Sequence, residues 1–343
     1  MQKSDLLLEV NDLKVHFKLR GGFFTPNKTE TVKAVDGVTF HVKRGETLGM
    51  VGESGCGKST TGLSILRMVE PNSGKVILDG TDVTSLGRRE LRRERRKMQM
   101  VFQDPFGALN PRMTVLDIIG EPLTVHNMAK NFADYKRQVL ELMEMVGLNP
   151  DMAQRFAHEF SGGQRQRIGI ARALAARPQL IICDEPVSAL DVSIQAQVIN
   201  LLEDLQAELG LTYLFIAHDL AVVKHICDRI VVMYLGRIVE VADRDDLYRN
   251  PKHPYTQALL SAIPIADPDP EVQKQFQPAL EGEVPSPVNP PPGCPFHPRC
   301  PHAWSACSEL RPQTVTSEDG HSVACHLYDP AVAKTQPIKA EAG

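Results

Sequence analysis

The chain has 343 residues, enough for one large domain with appendages or two modest ones. A hydrophobic fraction of 42% supports a sizeable core, and a net charge of −4 with a pI near 6.3 excludes a global field favouring nucleic acid. The opening MQKSDLLLEV has no basic region followed by a long apolar stretch, so no secretory leader is expected. No apolar run approaches the roughly 18 residues of a membrane span, which points to a soluble or peripheral protein in a reducing cytosol.

In chain order, strand-like alternation runs from residue 6 to about residue 51, through LEVNDLKVHFKL and VKAVDGVTFHV. A Gly/Pro/Asn loop at 21–27 separates the two. TLGMV follows as a buried strand, then GESGCGKST and a helix to about residue 68. VILD and MQMVFQ read as further strands. From 104 to about 175 the pattern turns helical, with Val139, Leu142, Met143 and Val146 at three- and four-residue spacing. Strands return at LIICDE, TYLFIAH and RIVVMY, with a helix over 192–209 between the first two. The result is a parallel α/β core interrupted by a helical insert. After about residue 267, PDPEVQKQFQPAL and VPSPVNPPPGCP mark a linker or irregular extension. RRELRRERRK, residues 88–97, carries seven basic residues and two glutamates and reads as a solvated helix face, with an anionic surface as the alternative.

GESGCGKST fits G-x-x-x-x-G-K-[ST] between an apolar strand and a helix, the context that pattern requires. Glycines let backbone N–H groups approach phosphate oxygens with no Cβ in the way, and the helix adds the positive end of its dipole. Ser54, Gly55, Cys56, Gly57 and Thr60 are candidates for the cradle. Lys58 supplies a point charge for the β- and γ-phosphates, and the Ser59 hydroxyl is placed to join Mg²⁺. LIICDEP puts Asp184 and Glu185 at the end of a buried strand. Asp184 suits Mg²⁺ held through water, and Glu185, one residue on, suits polarising an attacking water. His218 at the tip of TYLFIAH is a candidate for the γ-phosphate and water. Gln103, ending MQMVFQ, is an uncharged ligand within reach of Mg²⁺ and water. FSGGQRQR, residues 160–167, is a second phosphate cradle at a helix start.

Together these motifs resemble the nucleotide-binding subunits of ABC transporters. FSGGQ is similar to that family's signature, with Phe160 for the more usual leucine, and SALD at 188–191 matches its interface loop. The resemblance spans about residues 6–263. It implies an α/β fold: a P-loop NTPase ABC ATPase core with an antiparallel β subdomain and a helical insert, plus an irregular Cys-rich extension. It assigns residues 1–265 to the ATP-binding domain, with the helical subdomain at about 104–175, and 266–343 to the extension. It further implies two subunits bound head to tail, the P-loop of one holding ATP and Ser161, Gly162 and Gly163 of the other closing over the γ-phosphate. Gln164 and Arg155 are added as nucleotide-contact candidates, and Gln103 as the hinge of an insert that engages transmembrane partners. Phe17 is the first choice for stacking on adenine, with Phe23 and Phe24 as rivals.

NPKHPYTQALLSAIP, VFQDPFGALNPRMTV and the cysteine-bearing tail resemble the ATP-binding subunits of dipeptide and oligopeptide importers, the F-type subunit of the dipeptide system in particular. That resemblance implies a sister ATPase, two membrane subunits, an extracytoplasmic binding protein and a peripheral site at the cytoplasmic face of the membrane. Importers of nickel and other small solutes share these features. Soluble ABC ATPases that act on nucleic acid usually carry two cassettes or a special insert, and neither is expected here. Cys294, Cys300, Cys307 and Cys325 leave five, six and seventeen residues between them. Cytosolic disulfides are disfavoured, and four thiolates in a proline-rich segment suggest a metal staple. A [4Fe–4S] cluster, to which the resemblance points, zinc and free thiols remain the alternatives.

Overall fold

The computed structural model describes residues 5–19, 30–262 and 282–335. The expected loop at 21–27, with Phe23 and Phe24, lies outside these residues, as does most of the expected linker.

The chain opens with strands β1 (Leu6–Leu19) and β2 (Glu30–Lys43), then β3 (Thr47–Val51) and helix α1 (Lys58–Ile65). Next come β4 (Ser73–Leu78), β5 (Thr81–Asp82), α2 (Arg88–Glu94) and β6 (Met98–Val101). The helical insert holds α3 (Pro105–Ala108), α4 (Val115–Val125) and α5 (Phe132–Met145), and α6 (Gly162–Ala175) leads back to the core. The second half runs β7 (Leu180–Asp184), α7 (Val192–Leu209), β8 (Thr212–Ile216), α8 (Leu220–Ile226), β9 (Arg229–Tyr234), β10 (Arg237–Asp243), α9 (Arg244–Arg249) and α10 (Pro254–Ser261). After the undescribed stretch come α11 (Ser305–Glu309), β11 (Val315–Thr316) and β12 (Ser322–Val323).

Two sheets result. One is antiparallel in the order β2-β1-β4-β5, and the other runs β11-β12-β10-β9-β3-β8-β7-β6. Strands β9, β3, β8, β7 and β6 are parallel. Every residue of β3, β7 and β8 is buried, as expected of strands covered on both faces. One apolar core joins the helical insert to the parallel sheet, around Ile119, Val139, Ile168 and Phe215. A second lies toward the antiparallel sheet, around Leu8, Val35, Met50 and Leu214.

Local chemistry sets the helix starts. The side chains of Thr114, Asn131 and Asp191 accept the Asp117, Asp134 and Ile194 N–H groups, and Gly210 at φ 65° closes α7. The basic run forms α2 as a largely exposed helix. Arg95 turns inward to the Leu66 and Arg67 carbonyls, and Arg96 to that of Ala176. The tail is less irregular than its prolines suggest. Strand β12 pairs with β10, and buried His321 lies between Glu240 and Asp246, 2.7 Å from Glu240 Oε1. Glu240 also accepts the N–H groups of Lys252 and His253.

Candidate nucleotide site

Between β3 and α1 the chain turns through Gly52–Gly57, and geometry requires glycine at both ends of this turn. Gly52 has φ 150° and Gly57 φ 107°. A Cβ would lie 2.2 Å from the Met233 carbonyl oxygen at Gly52 and 2.1 Å from that of Ala34 at Gly57. The loop is thus moulded against β9 and β2. The Lys58 ammonium is buried and donates to the carbonyls of Gly52 at 2.7 Å and Glu53 at 3.2 Å. Thr61 Oγ1 donates to the Gly57 carbonyl and ties the helix to its loop.

The C-terminal ends of three neighbouring parallel strands meet this loop. Ser59 Oγ donates to Asp184 Oδ1 at 2.8 Å. Burial pushes the Asp184 carboxyl up, the Ser59 hydrogen bond opposes this, and the Glu185 charge adds to the rise. Glu185 has φ 46°, a left-handed conformation unusual for a non-glycine residue, and its N–H donates to the Ile216 carbonyl at 2.9 Å. Gln103 Nε2 donates to Glu185 Oε2 at 2.8 Å, and His218 Nδ1 stands 3.1 Å from the same oxygen. Gln103, Glu185 and His218 therefore form one cluster from the ends of β6, β7 and β8.

Ser54, Gly55, Gly57, Lys58, Ser59 and Thr60 line a cleft of about 390 Å³ with this cluster. Val32, Ala34 and Pro287 also line it, and the sequence reading did not include them. Strand alternation in VKAVDGV carried a signal for Val32 and Ala34. Nothing local signals Pro287, whose carbonyl accepts the Lys33 N–H at 3.2 Å. Cys56 is buried beneath the loop, and burial pushes its thiol up. Phe17 is 41% exposed and pairs across β1 and β2 with Val32, one strand from the cleft.

Ser161, Gly162, Gly163 and Gln164, at the start of α6, do not line this chain's cleft. Ser161 Oγ accepts the Gln164 N–H, and Gln164 Oε1 accepts the Ser161 N–H, a reciprocal cap that fixes an exposed serine at a helix N-terminus. Arg155 is exposed, and its carbonyl accepts the Val115 N–H. Cys294, Cys300, Cys307 and Cys325 line one small cavity together with His253 and His326. Burial pushes the Cys294 thiol up to about 11 and that of Cys325 to about 12. As the side chains stand, no group of three or more His, Cys, Asp or Glu among the described residues is arranged to hold a metal ion.

A glycine cradle closed by a lysine, with a carboxylate pair on a nearby strand end, defines a phosphate-loop nucleotide-binding protein. A family model described as ABC transporter matches residues 35–188, and one described as oligopeptide/dipeptide transporter, C-terminal region, matches 239–307. The oligopeptide transport ATP-binding protein AppF of Bacillus subtilis is 55% identical over 326 residues, covering 95% of this chain and 98% of that protein. The oligopeptide transport ATP-binding protein OppF of Salmonella typhimurium is 54% identical over 333 residues, covering 96% and 98%. Among solved structures, a dimeric post-hydrolysis state of the ATP-binding cassette MJ0796 bound to ADP and phosphate is 29% identical. It superposes with a TM-score of 0.62 over 69% of this chain and 99% of that one. This chain belongs to the ATP-binding proteins of ABC transporters, in the branch that carries the oligopeptide/dipeptide transporter C-terminal region.

Proposed function

We propose that this chain is the ATP-hydrolysing subunit that powers peptide import across the cytoplasmic membrane. The observation that carries the reading is the convergence of Lys58, Ser59, Gln103, Glu185 and His218 on one cleft. Lys58 exchanges its loop carbonyls for β- and γ-phosphate oxygens. Ser59 and Asp184 offer hard oxygen donors already 2.8 Å apart, which suits Mg²⁺. When bound, Mg²⁺ neutralises charge on the β- and γ-phosphates. Glu185 draws a proton from the attacking water, His218 aligns that water, and Gln103 reports the γ-phosphate to the helical insert.

Ser161, Gly162 and Gly163 do not line their own chain's cleft, which favours donation to ATP held by a sister subunit bound head to tail. An exposed helix N-terminus stabilises γ-phosphate charge and excludes water there. ATP then holds the pair together, and hydrolysis releases it. The remaining partners are two permease subunits, met by the α3–α5 insert, and an extracytoplasmic peptide-binding protein. No described helix is long and apolar enough to cross a membrane, in keeping with a peripheral subunit at the cytoplasmic face. Phe17 is retained as the adenine platform.

For the tail we favour a structural [4Fe–4S] cluster held by Cys294, Cys300, Cys307 and Cys325, with zinc as the alternative. The four thiols share one cavity, and a buried donor beside them is unmatched. His253 Nδ1 accepts the Tyr255 N–H, so the ring proton sits on Nε2, which has no partner among the described residues. An N–H of this kind suits a thiolate or sulfide acceptor. Iron and acid-labile sulfide assays after anaerobic purification decide the matter: both in stoichiometric amounts support the cluster, and zinc or no metal removes it. For the main reading, integral membrane subunits should co-purify with the protein, and peptide-loaded receptor should stimulate ATP hydrolysis. Co-purifying RNA without membrane subunits would overturn it.

A further inference from the structure

Glu53 is the one residue of the phosphate loop whose side-chain chemistry opposes the rest. A carboxylate next to a polyphosphate site repels its ligand unless it is neutralised. Arg299 supplies the counter-charge. Its Nη1 donates to Glu53 Oε2 at 2.8 Å and its Nη2 to Oε1 at 3.0 Å, the paired geometry of a guanidinium fork. The Arg299 side chain is only 5% exposed and that of Glu53 25%. Glu53 does not line the nucleotide cleft, although Ser54 and Gly55 beside it do.

The fork rests on a firm base. Tyr234, Tyr255 and Phe296 are fully buried, with ring centroids 4.7 to 5.4 Å apart. Arg299 Nη1 also reaches Tyr234 Oη at 3.4 Å, and Tyr255 Oη accepts the Glu53 N–H at 2.8 Å. Glu53 is therefore held at its backbone by α10 and at its carboxylate by the tail. Arg299 itself ends a tight turn, His297–Arg299, in which the His297 N–H donates to the Cys294 carbonyl and the Cys300 N–H to that of His297. The residue that grips the phosphate loop thus sits between two of the four clustered cysteines.

We propose that Arg299 is a positioning residue for ATP binding: from the C-terminal extension it neutralises Glu53 and holds that carboxylate clear of the phosphates. The inference rests on the nucleotide reading of the cleft. It joins a segment far along the chain to the glycine loop of the nucleotide cleft, and it gives the extension a task at the motor site itself. Removing one partner of a largely buried charge pair leaves the other uncompensated, and here the bared charge sits in the loop next to Ser54 and Gly55, which line the cleft.

The test measures Mg-ATP and Mg-ADP affinity by calorimetry on the full chain and on Arg299→Gln, Glu53→Gln and the double variant. Arg299→Gln should bind Mg-ATP about tenfold more weakly, about 1.4 kcal/mol, with a smaller loss for Mg-ADP. Glu53→Gln should stay within about twofold of wild type and should restore the double variant to that range. That rescue separates charge positioning from a general loss of packing, which a second substitution does not repair. Wild-type affinity in Arg299→Gln, or no rescue by Glu53→Gln, overturns the proposal. Should Arg299→Gln fail to fold, Arg299→Lys keeps the charge and loses the fork. A roughly threefold loss abolished by Glu53→Gln then supports the proposal, and wild-type affinity overturns it. If the wild-type chain itself binds no Mg-ATP, the nucleotide reading falls and this inference falls with it.

Discussion

Replacing Glu185 by glutamine separates chemistry from binding. Glu185 Oε2 receives Gln103 Nε2 at 2.8 Å and faces His218 Nδ1 at 3.1 Å. A glutamine oxygen in the same place accepts the same donors, and glutamine tolerates the left-handed φ of 46° about as well as glutamate. The folded state should therefore lose less than about 1 kcal/mol, with a change in Tm of only a few degrees. What disappears is the basic carboxylate. Positioned general bases contribute about 10²- to 10⁴-fold. The middle of that range, a factor of about a thousand, corresponds to about 4 kcal/mol of barrier. Single-turnover hydrolysis, Mg-ATP affinity and Tm are measured together. Hydrolysis should stall while ATP binding persists and a closed pair accumulates. Wild-type turnover would show that Glu185 is not the catalytic carboxylate. Equal loss of binding and turnover would show that it holds the nucleotide instead.

Ser161→Arg should impair hydrolysis at the sister subunit's ATP while leaving Mg-ATP affinity at this chain's own cleft intact. Site-specific turnover in the assembled pair reads this, and full activity at the sister site excludes the head-to-tail arrangement. At Asp36, burial raises the carboxyl pKa, but hydrogen bonds and charge from Arg237 and His16 outweigh it and leave the pKa lowered. A depressed carboxylate contributes stability that is present above about pH 3.9, its ordinary value, and lost as pH falls through the folded value. Asp36→Asn should thus be destabilised at pH 7, and its gap from wild type in urea denaturation should narrow toward pH 3. A constant gap would refute the pairing.

The grouping of Lys58, Ser59, Gln103, Glu185 and His218 about one cleft was legible in the sequence because each of its parts is signalled locally. TLGMV, LIICD and TYLFI are each fully buried strands, and the residues proposed for the chemistry follow their ends. Helix α7 follows its prediction over 192–209, since Asp191 caps its start and Gly210 its end. Contacts between distant segments were not legible. The Glu53–Arg299 pair joins residues 246 positions apart, and no periodicity marks either partner. Strand β10 was missed as well. RIVEVAD alternates, but it follows β9 after a two-residue turn and blends into that apolar run. The prolines of the tail hid β11 and β12, which are only two residues long and exist through pairing rather than propensity.

The attachment of β12 to β10 has a consequence for solubility. A sheet that stops at an uncovered strand offers free N–H and C=O groups to any passing chain. Strand β10 avoids this because Glu240 and Val241 pair with Val323 and Ser322, and the Ala324 N–H donates to the Val239 carbonyl at 2.8 Å. The outermost strands are too short to template another sheet. Removing the tail would strip that seal, baring the β10 margin and the emptied berth of His321 beside it, and shortened chains would self-associate edge to edge.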